Sequence, residues 1–382
     1  MSETIDICII GSGVAGLSAA LSLQQCGFRV AVFERDLDFI DRKQGYGLTL
    51  TYSNNGPLSK LGVLDECIRN NCPSHCHYVF SPAGDVLGYY GRELKGDKVS
   101  DTHPSEQGGN KGNLRIPRQD LRMMLIQKLQ PGTIRWGWSI SYYAEVTEGV
   151  TVTMSRTHHT CSSSENTINS SETMTVDAYV LVGADGIRSE VRLVEVESIC
   201  PVQYLGVAVI IGLSSASHPL VSNRGYYVVD GQHRLFTMPY AVSQETETGA
   251  ENAQPGLTMW QLSFSGLSEE QASALRRADP ADILAEAQRR TADWLAPTRE
   301  LIAQTLTGEL WATGLYDRDA MPLFSKDGRG AGGSRVTVIG DAAHPMSMFK
   351  GQGANQALAD GPLLAHWLSG AAASGAAGGK RR

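Results

Sequence analysis

The chain has 382 residues, 42% of them hydrophobic and 19% charged, with a net charge of −7. That length suggests two domains or one large one, and the apolar share supports a sizeable core, which excludes a mainly disordered chain. The mildly acidic balance also argues against general nucleic-acid binding, which relies on clustered cations.

The N-terminus (Met1-Ser2-Glu3-Thr4) has no basic n-region and no cleavable apolar stretch, so no signal peptide is read there. No run approaches the ~18 apolar residues of a membrane helix. Seven cysteines without framework spacing fit a reduced, cytoplasmic chain with no integral membrane segment. Cys67, Cys72 and Cys76, with His75 and His77, form a dense cluster. It lacks the Cys-x2-Cys pairs of zinc sites, so it reads as separate thiols rather than a metal site. Asn169-Ser170-Ser171 is a glycosylation sequon, expected to be silent without secretion.

Ile5–Ile10 reads as a buried strand, followed at once by Gly11-Ser12-Gly13-Val14-Ala15-Gly16. Leu17–Gln25 has helical spacing, and Phe28–Phe33 reads as a second buried strand ending at Glu34. In this strand–loop–helix–strand unit Gly11 permits a tight turn and Gly13 lets backbone approach a pyrophosphate. Gly16 allows close helix–strand packing. The helix start offers free N–H groups and a positive dipole end, and Glu34 suits a ribose diol, with Arg35 beside it. A dinucleotide site is expected on all of these residues.

Farther on, Leu114–Gln130 looks helical, and Ile134–Tyr142 and Gly149–Ser155 read as strands. Residues 157–173 are rich in Ser, Thr and Asn and read as a solvated excursion. Thr175–Val182 is the next strand, running into Gly183-Ala184-Asp185-Gly186. Val207–Leu213, Gly225–Val229, Arg234–Tyr240 and Leu257–Phe264 suggest an antiparallel sheet. Ser268-Glu269-Glu270-Gln271 is a capping box, and Asp279-Pro280 opens a helix expected to reach about Leu295. Arg335–Ile339 is a strand leading to Gly340-Asp341, and Gly353–Leu368 is a helix. The predicted fold class is α/β. A Rossmann-like domain is built from residues 1–78, 113–195 and 316–368. A β-rich substrate domain at 196–315, with strands at 79–112, is inserted in it, and residues 369–382 form a disordered tail.

Three motifs in order carry a resemblance. They are the glycine fingerprint with Glu34, the segment Val182-Gly183-Ala184-Asp185-Gly186-Ile187-Arg188-Ser189-Glu190-Val191-Arg192, and Gly340-Asp341-Ala342-Ala343-His344-Pro345, which continues through Gly351-Gln352-Gly353-Ala354-Asn355 to Asp360. Over about residues 5–368 the chain resembles the class A FAD-dependent aromatic hydroxylases, flavoprotein monooxygenases built like para-hydroxybenzoate hydroxylase.

The resemblance implies FAD as cofactor and NADPH or NADH as co-substrate. It also implies an O2-derived flavin C4a-hydroperoxide that hydroxylates or epoxidises a small aromatic, polycyclic or other electron-rich molecule. It further implies that Asp341 bonds the ribityl and diphosphate region and that Gly353, Ala354 and Asn355 lie at the flavin. The helix starting there would direct its dipole at the flavin N1–C2=O edge. Asp185 would organise a loop near the diphosphate, with Arg188 or Arg192 as nicotinamide candidates. Gly47, in Gly45-Tyr46-Gly47-Leu48, matches a segment whose backbone approaches the adenosine side. Arg118, in Ile116-Pro117-Arg118-Gln119-Asp120-Leu121, matches an arginine that bonds FAD and is chosen ahead of Arg115 and Arg122.

No side chain is assigned an acid–base role. Three features depart from the pattern: Met348 replaces a proline, Ser53 with Asn54 and Asn55 replaces an asparagine, and little chain follows Trp367. A substrate should sit between the β-rich middle and the flavin. Of Tyr226, Tyr227, His233, Phe236 and Met238, strand alternation lets about half point inward. The alternatives are a flavin-dependent halogenase and a catalytically silent FAD-binding protein. The first is suggested by Trp136-Gly137-Trp138-Ser139-Ile140, where Ser141 replaces a proline of the halogenase signature.

Overall fold

A computed structural model describes residues 5–41, 45–91, 111–157, 172–192, 200–241, 256–318 and 335–378. The chain opens with β1 (Ile5–Ile10), α1 (Val14–Gln25) and β2 (Val30–Glu34). Then come β3 (Gly47–Ser53), α2 (Pro57–Lys60), α3 (Leu64–Arg69), β4 (Cys76–Phe80) and β5 (Val86–Gly91). Next are β6 (Lys111–Pro117), α4 (Arg118–Lys128), β7 (Ile134–Trp136), β8 (Trp138–Val146), β9 (Gly149–Arg156) and β10 (Thr173–Gly183). The middle holds β11 (Gln203–Ser214), β12 (Gly225–Val229), β13 (His233–Ala241) and β14 (Leu257–Ser265). Helices α5 (Glu269–Arg277), α6 (Pro280–Arg290) and α7 (Ala296–Ala303) lead to β15 (Thr305–Asp317). β16 (Val336–Val338) and α8 (Gly353–Gly378) complete the described chain.

The first sheet runs β7-β2-β1-β10, with β1, β2, β7 and β10 parallel, and β16 pairs parallel with the C-terminal end of β10. The N-terminal half of β10 pairs antiparallel with β9, which pairs with β8. One face of this sheet packs against α1, α4 and α8 around Leu17, Leu23, Leu121 and Leu358. Residues Val14 through Leu23 of α1 are all buried, because α8 covers the side that the sheet does not. Each such fully buried leucine contributes roughly 1.5–3 kcal/mol.

The second sheet runs β15-β11-β14-β13-β12-β4-β5, antiparallel except for β12 against β4. One face packs on α5, α6 and α7 through Tyr226, Trp260, Leu262, Ile283 and Ile302. The other carries a smaller apolar cluster, including Val209, Met238 and Met259, with Tyr46 and Trp311 against it. A two-stranded ribbon, β3 with β6, lies between the two bodies.

Several expectations are corrected. Leu114–Pro117 belongs to β6, and the helix starts only at Arg118, because Pro117 stands at its N-cap. The helix from Pro280 stops at Arg290, and Ala296–Ala303 is a separate helix; Asp279 sits at the N-cap without a side-chain capping bond. Strands β4 and β5 both join the second sheet, so residues 76–78 lie in that sheet rather than in the first body. β15, unread in the sequence, forms one edge of that sheet. Helix α8 runs to Gly378, past the residue-368 limit set for it. Trp136 and Trp138 do not share one strand, because Gly137, at φ +77°, separates β7 from β8. The sequon, most of the 157–173 excursion and the last four residues lie outside the described residues.

Among the described residues no helix is long and apolar enough to cross a membrane. Within them Cys67, Cys72 and Cys76 are buried. The Cys72 thiol donates to the Tyr240 carbonyl at 3.0 Å.

The capping box at α5 forms as read: Ser268 Oγ accepts from Gln271 N, and Gln271 Oε1 accepts from Ser268 N. Ser268→Ala is expected to cost about 1 kcal/mol. Chemical denaturation should show it as a lower midpoint with unchanged FAD affinity; no shift would mean the cap is idle.

Candidate cofactor and substrate site

The turn from β1 into α1 assigns two jobs to its three glycines. Gly11 has φ +102°, and a Cβ there would lie 2.5 Å from the Ala184 carbonyl oxygen. A Cβ on Gly16 would lie 1.9 Å from the Gly11 carbonyl oxygen. Both positions are therefore closed to any side chain. Gly13 differs: a Cβ there would meet no atom within 4 Å. Gly13 is the N-cap of α1 and no side chain caps the helix, so the amides of its first turn face open space. Val14 and Ala15 form that first turn. A diphosphate fits such a cradle, through the uncompensated amides and the dipole.

The loop is held rigid from both sides. Glu34 Oε2 accepts from Ser12 N at 2.7 Å and from Ser12 Oγ at 2.9 Å, and Oε1 accepts from Asp36 N at 3.1 Å. Arg122, buried on α4, donates to Ser12 O and Ser12 Oγ, both at 3.1 Å, and to Gln119 Oε1 at 2.8 Å. Three acceptor positions of the Glu34 carboxylate thus hold the loop. Arg35 is exposed beside it.

Arg118 opens α4 where the ribbon ends. Its backbone N–H donates to Tyr46 O at 3.0 Å, and its guanidinium lies 5.7 Å from the Tyr46 ring centroid. Its Nη1 is buried with no hydrogen-bond partner. Buried polar atoms are normally paired, so an orphaned cationic N–H one helical turn before Arg122 fits an anionic cofactor. The three arginines of this stretch thus separate: Arg118 keeps an unpaired donor within the field of Asp341, and Arg122 braces the fingerprint. Arg115 is half-buried, on the side of Tyr90 and Tyr227. Gly47 packs onto the second sheet, its N–H 3.1 Å from Met259 Sδ, and a Cβ there would lie 2.8 Å from Met238 Cε.

The second and third motifs interlock. Asp185 accepts from Ser189 Oγ at 2.5 Å, Glu190 N at 2.8 Å and Val191 N at 3.4 Å, so it organises its own loop. Burial raises its carboxyl above the ordinary range, and these bonds oppose the shift. Arg192 is buried and donates to Ala342 O at 3.0 Å, tying the second motif to the third. Arg188 is exposed and lies over Tyr316. Asp341 is accessible to solvent but flanked by protein. Desolvation raises its carboxyl, while the positive fields of His344 and Arg118 oppose this. Asp360 Oδ2 accepts from Gly340 N at 2.7 Å and bonds His344 Nε2 at 2.8 Å.

The Asn355 side chain is engaged within the protein. Its Oδ1 accepts from Thr51 N at 2.8 Å, and its Nδ2 donates to Thr49 O at 3.0 Å and Gly351 O at 3.2 Å. The side chain therefore braces β3 against the start of α8. Gly353 and Ala354 belong to the first turn of α8, where backbone N–H groups lack helical partners. A cavity of about 300 Å³ opens beside this brace, lined in part by Thr51, Ser53 and Asn355.

The bond to Asp360 raises His344 above its ordinary value. Because the folded-state value is the higher one, the stabilisation is complete below about pH 6.5 and is lost as pH rises through the folded value. Asp360→Asn keeps an acceptor for Gly340 N but removes the charge. The stability gap between wild type and variant should be wider at pH 6 than at pH 9; a constant gap would show that the pair is not titrating.

Sequence alternation places the five expected substrate-side residues on opposite faces. Tyr226 is buried against α7, with its hydroxyl 3.3 Å from Thr298 Oγ1, and His233 bonds Asp230 and Arg290. Tyr227, Phe236 and Met238 lie on the other face. That face also holds two residues that sequence reading did not place there. His77 stacks on Tyr90 at 4.9 Å, and the Tyr90 and Tyr227 hydroxyls are 3.1 Å apart. Arg234 lies over Tyr227 at 4.8 Å and over Phe349 at 5.1 Å. Phe349 belongs to the turn Met348–Lys350 between the third motif and α8, so the aromatic face of the sheet meets the cofactor motifs there.

A family model described as a FAD binding domain matches residues 4–199. A 3-amino-4-hydroxybenzoate 2-monooxygenase of Streptomyces platensis is 26% identical over 371 residues, covering 96% of this chain and 80% of its own. A 6-hydroxynicotinate 3-monooxygenase of Pseudomonas fluorescens is 24% identical, covering 96% and 83%. Among solved structures, 2,6-dihydroxypyridine-3-hydroxylase from Arthrobacter nicotinovorans superposes with a TM-score of 0.69 at 17% identity, over 97% of this chain and 85% of that one.

Proposed function

The chain belongs to the FAD binding domain family, and from that membership we propose that it hydroxylates a small aromatic substrate held against the second sheet. It is a FAD-dependent monooxygenase with NAD(P)H as co-substrate. The observation that carries the substrate reading is the aromatic face of Tyr227, Phe236, His77 and Tyr90, which Phe349 closes from the cofactor side. Rings there stack on a flat aromatic ligand. The relatives named for aminohydroxybenzoate and hydroxynicotinate support a single-ring or fused-ring substrate.

Bound FAD supplies hydride acceptance from NAD(P)H and activation of O2. The protein's residues do the rest. The first turn of α1 and Arg118 would hold the diphosphate, and Glu34 the ribose. Asp341 would bond the polar chain between diphosphate and flavin. The first turn of α8, set by Asn355, presents backbone N–H groups and a positive dipole end where negative charge develops. The aromatic face, bordered by Phe349, would cover one side of a bound ring.

The test is a flavin spectrum of the purified protein, followed by NADPH consumption with a panel of phenols and hydroxylated ring acids. The expected result is FAD binding, substrate-stimulated NADPH consumption and a product heavier by one oxygen atom. FAD binding with no NAD(P)H oxidation under any condition would overturn the reading and leave a silent flavin-binding protein.

A further inference from the structure

Four buried polar atoms without a hydrogen-bond partner share the face of the second sheet that meets the cofactor motifs. They are His77 Nε2, Arg234 Nη1, Gln261 Nε2 and Trp311 Nε1. Their common face follows from the strand register. Gln261 stands opposite Phe236 on one side and Ile211 on the other, and Ile211 stands opposite Trp311. Cross-strand partners share a face. Arg234 is two residues from Phe236 on β13, so it has the same orientation, and His77 stacks on Phe236 at 5.9 Å. His77 is only 3% exposed and Gln261 only 7%, so bulk water does not satisfy them.

A buried donor left unpaired is costly, and natural cores avoid it. Four gathered on one face, alongside aromatic rings and the cofactor motifs, describe a surface shaped to a ligand. The chemistry of the atoms identifies that ligand. The unpaired atoms of Arg234, Gln261 and Trp311 are all donors. Burial, together with the positive field of Arg115, lowers His77 to about 4 and keeps it neutral. The guanidinium of Arg234 is surrounded by the rings of Tyr227, Phe236 and Phe349, which stack on a cation but do not neutralise it. In a chain of net charge −7, this face is donor-rich and positive.

Resting on the aromatic-monooxygenase reading above, we infer that this face selects an aromatic acid. The ring lies against Tyr227 and Phe236, and its carboxylate pairs with Arg234. Further acceptor atoms on the ring meet Gln261 and Trp311. These two residues are separated by β11 alone, about 10 Å between their strand axes, and their long side chains reach inward from that spacing.

The test uses the FAD-loaded protein and matched ligands: hydroxybenzoates and aminobenzoates against the corresponding benzamides, which keep shape and lose charge. Binding is read without turnover, as perturbation of the flavin absorption band. The acid is expected to bind at least about tenfold tighter than its amide, the range for a charge-assisted hydrogen bond, and Arg234→Gln should abolish that preference. Gln261→Leu should weaken ring acids bearing a second acceptor several-fold and leave benzoate itself unchanged. Equal binding of acid and amide by the wild type, or an acid preference that survives R234Q, overturns the inference while leaving the aromatic reading intact. If no aromatic ligand of either charge perturbs the flavin or stimulates NADPH oxidation, both fall. The wild-type comparison stands even if a variant fails to fold.

Discussion

Gly16→Val is expected to abolish soluble, folded protein, whereas Gly13→Ala should yield a folded protein that binds FAD weakly. The two glycines lie three residues apart, yet their surroundings differ completely. A Cβ at Gly16 would lie 1.9 Å from the Gly11 carbonyl oxygen, and Gly11 has no room to retreat because its own Cβ position is 2.5 Å from the Ala184 carbonyl. Backbone meets backbone at both points, so no side-chain rotation relieves the clash. Overpacking usually costs about 1–3 kcal/mol and occasionally more; two backbone segments forced apart belong at or above the upper end. Against a typical net stability of about 5–15 kcal/mol, a loss of about 3 kcal/mol or more threatens the whole domain.

Gly13 has an ordinary extended backbone, at φ −69° and ψ −179°, and open space where a Cβ would stand. Its melting temperature should move by only a few degrees, as for a small change at a helix cap. The methyl group instead occupies the approach of the diphosphate, and FAD affinity should fall by about 100-fold, near 2.7 kcal/mol. Thermal denaturation and FAD fluorescence titration read the two effects separately. A G16V protein with native stability, or a G13A protein with native FAD affinity, would show that the loop does not serve the two functions described.

The second large effect separates two arginines on α4. Arg118→Met is expected to leave the apoprotein as stable as wild type or slightly more so, because it removes a buried cationic N–H that has no partner. FAD should then bind about 10- to 100-fold more weakly, the loss of a charge-assisted hydrogen bond. Arg122→Met should do the reverse. Its guanidinium donates to Ser12 O and Ser12 Oγ inside the core, and truncation leaves those acceptors unpaired. The apoprotein should lose about 2–4 kcal/mol, visible in denaturant titration before any FAD is added. If Arg118→Met destabilised the apoprotein by as much as Arg122→Met, Arg118 would be structural and its assignment to the cofactor would fail.

The parts of this protein readable from its sequence are those carried by short-range regularity. The apolar run Ile5–Ile10, the glycine spacing after it and the acid at Glu34 all act within one strand–helix–strand unit, and the structure forms that unit. The capping box at Ser268 is equally local and is found intact. Alternation along β12 and β13 implied that about half of five candidates share one face, and Tyr227, Phe236 and Met238 lie together on the face away from the helices. Where local signals compete, the reading failed. Leu114–Pro117 has apolar residues that suit a helix, yet pairing with Gly47–Leu50 makes it a strand.

What the sequence by itself determined was the cofactor chemistry, because the groups that hold a dinucleotide lie on one βαβ turn and two further contiguous motifs. Tertiary structure decided which side chains remain available. Asn355, in a cofactor motif, has its amide engaged by the backbone of β3 and of Gly351, and Asp185 is engaged by its own loop. It also decided where the proposed substrate face lies. His77 comes to Phe236 only because β4 pairs parallel with β12, and Gln261 and Trp311 reach the same face only through β14 and β15. Hydrogen-bond pairing between strands far apart in the chain sets that assembly, and no periodicity within a single segment encodes its register.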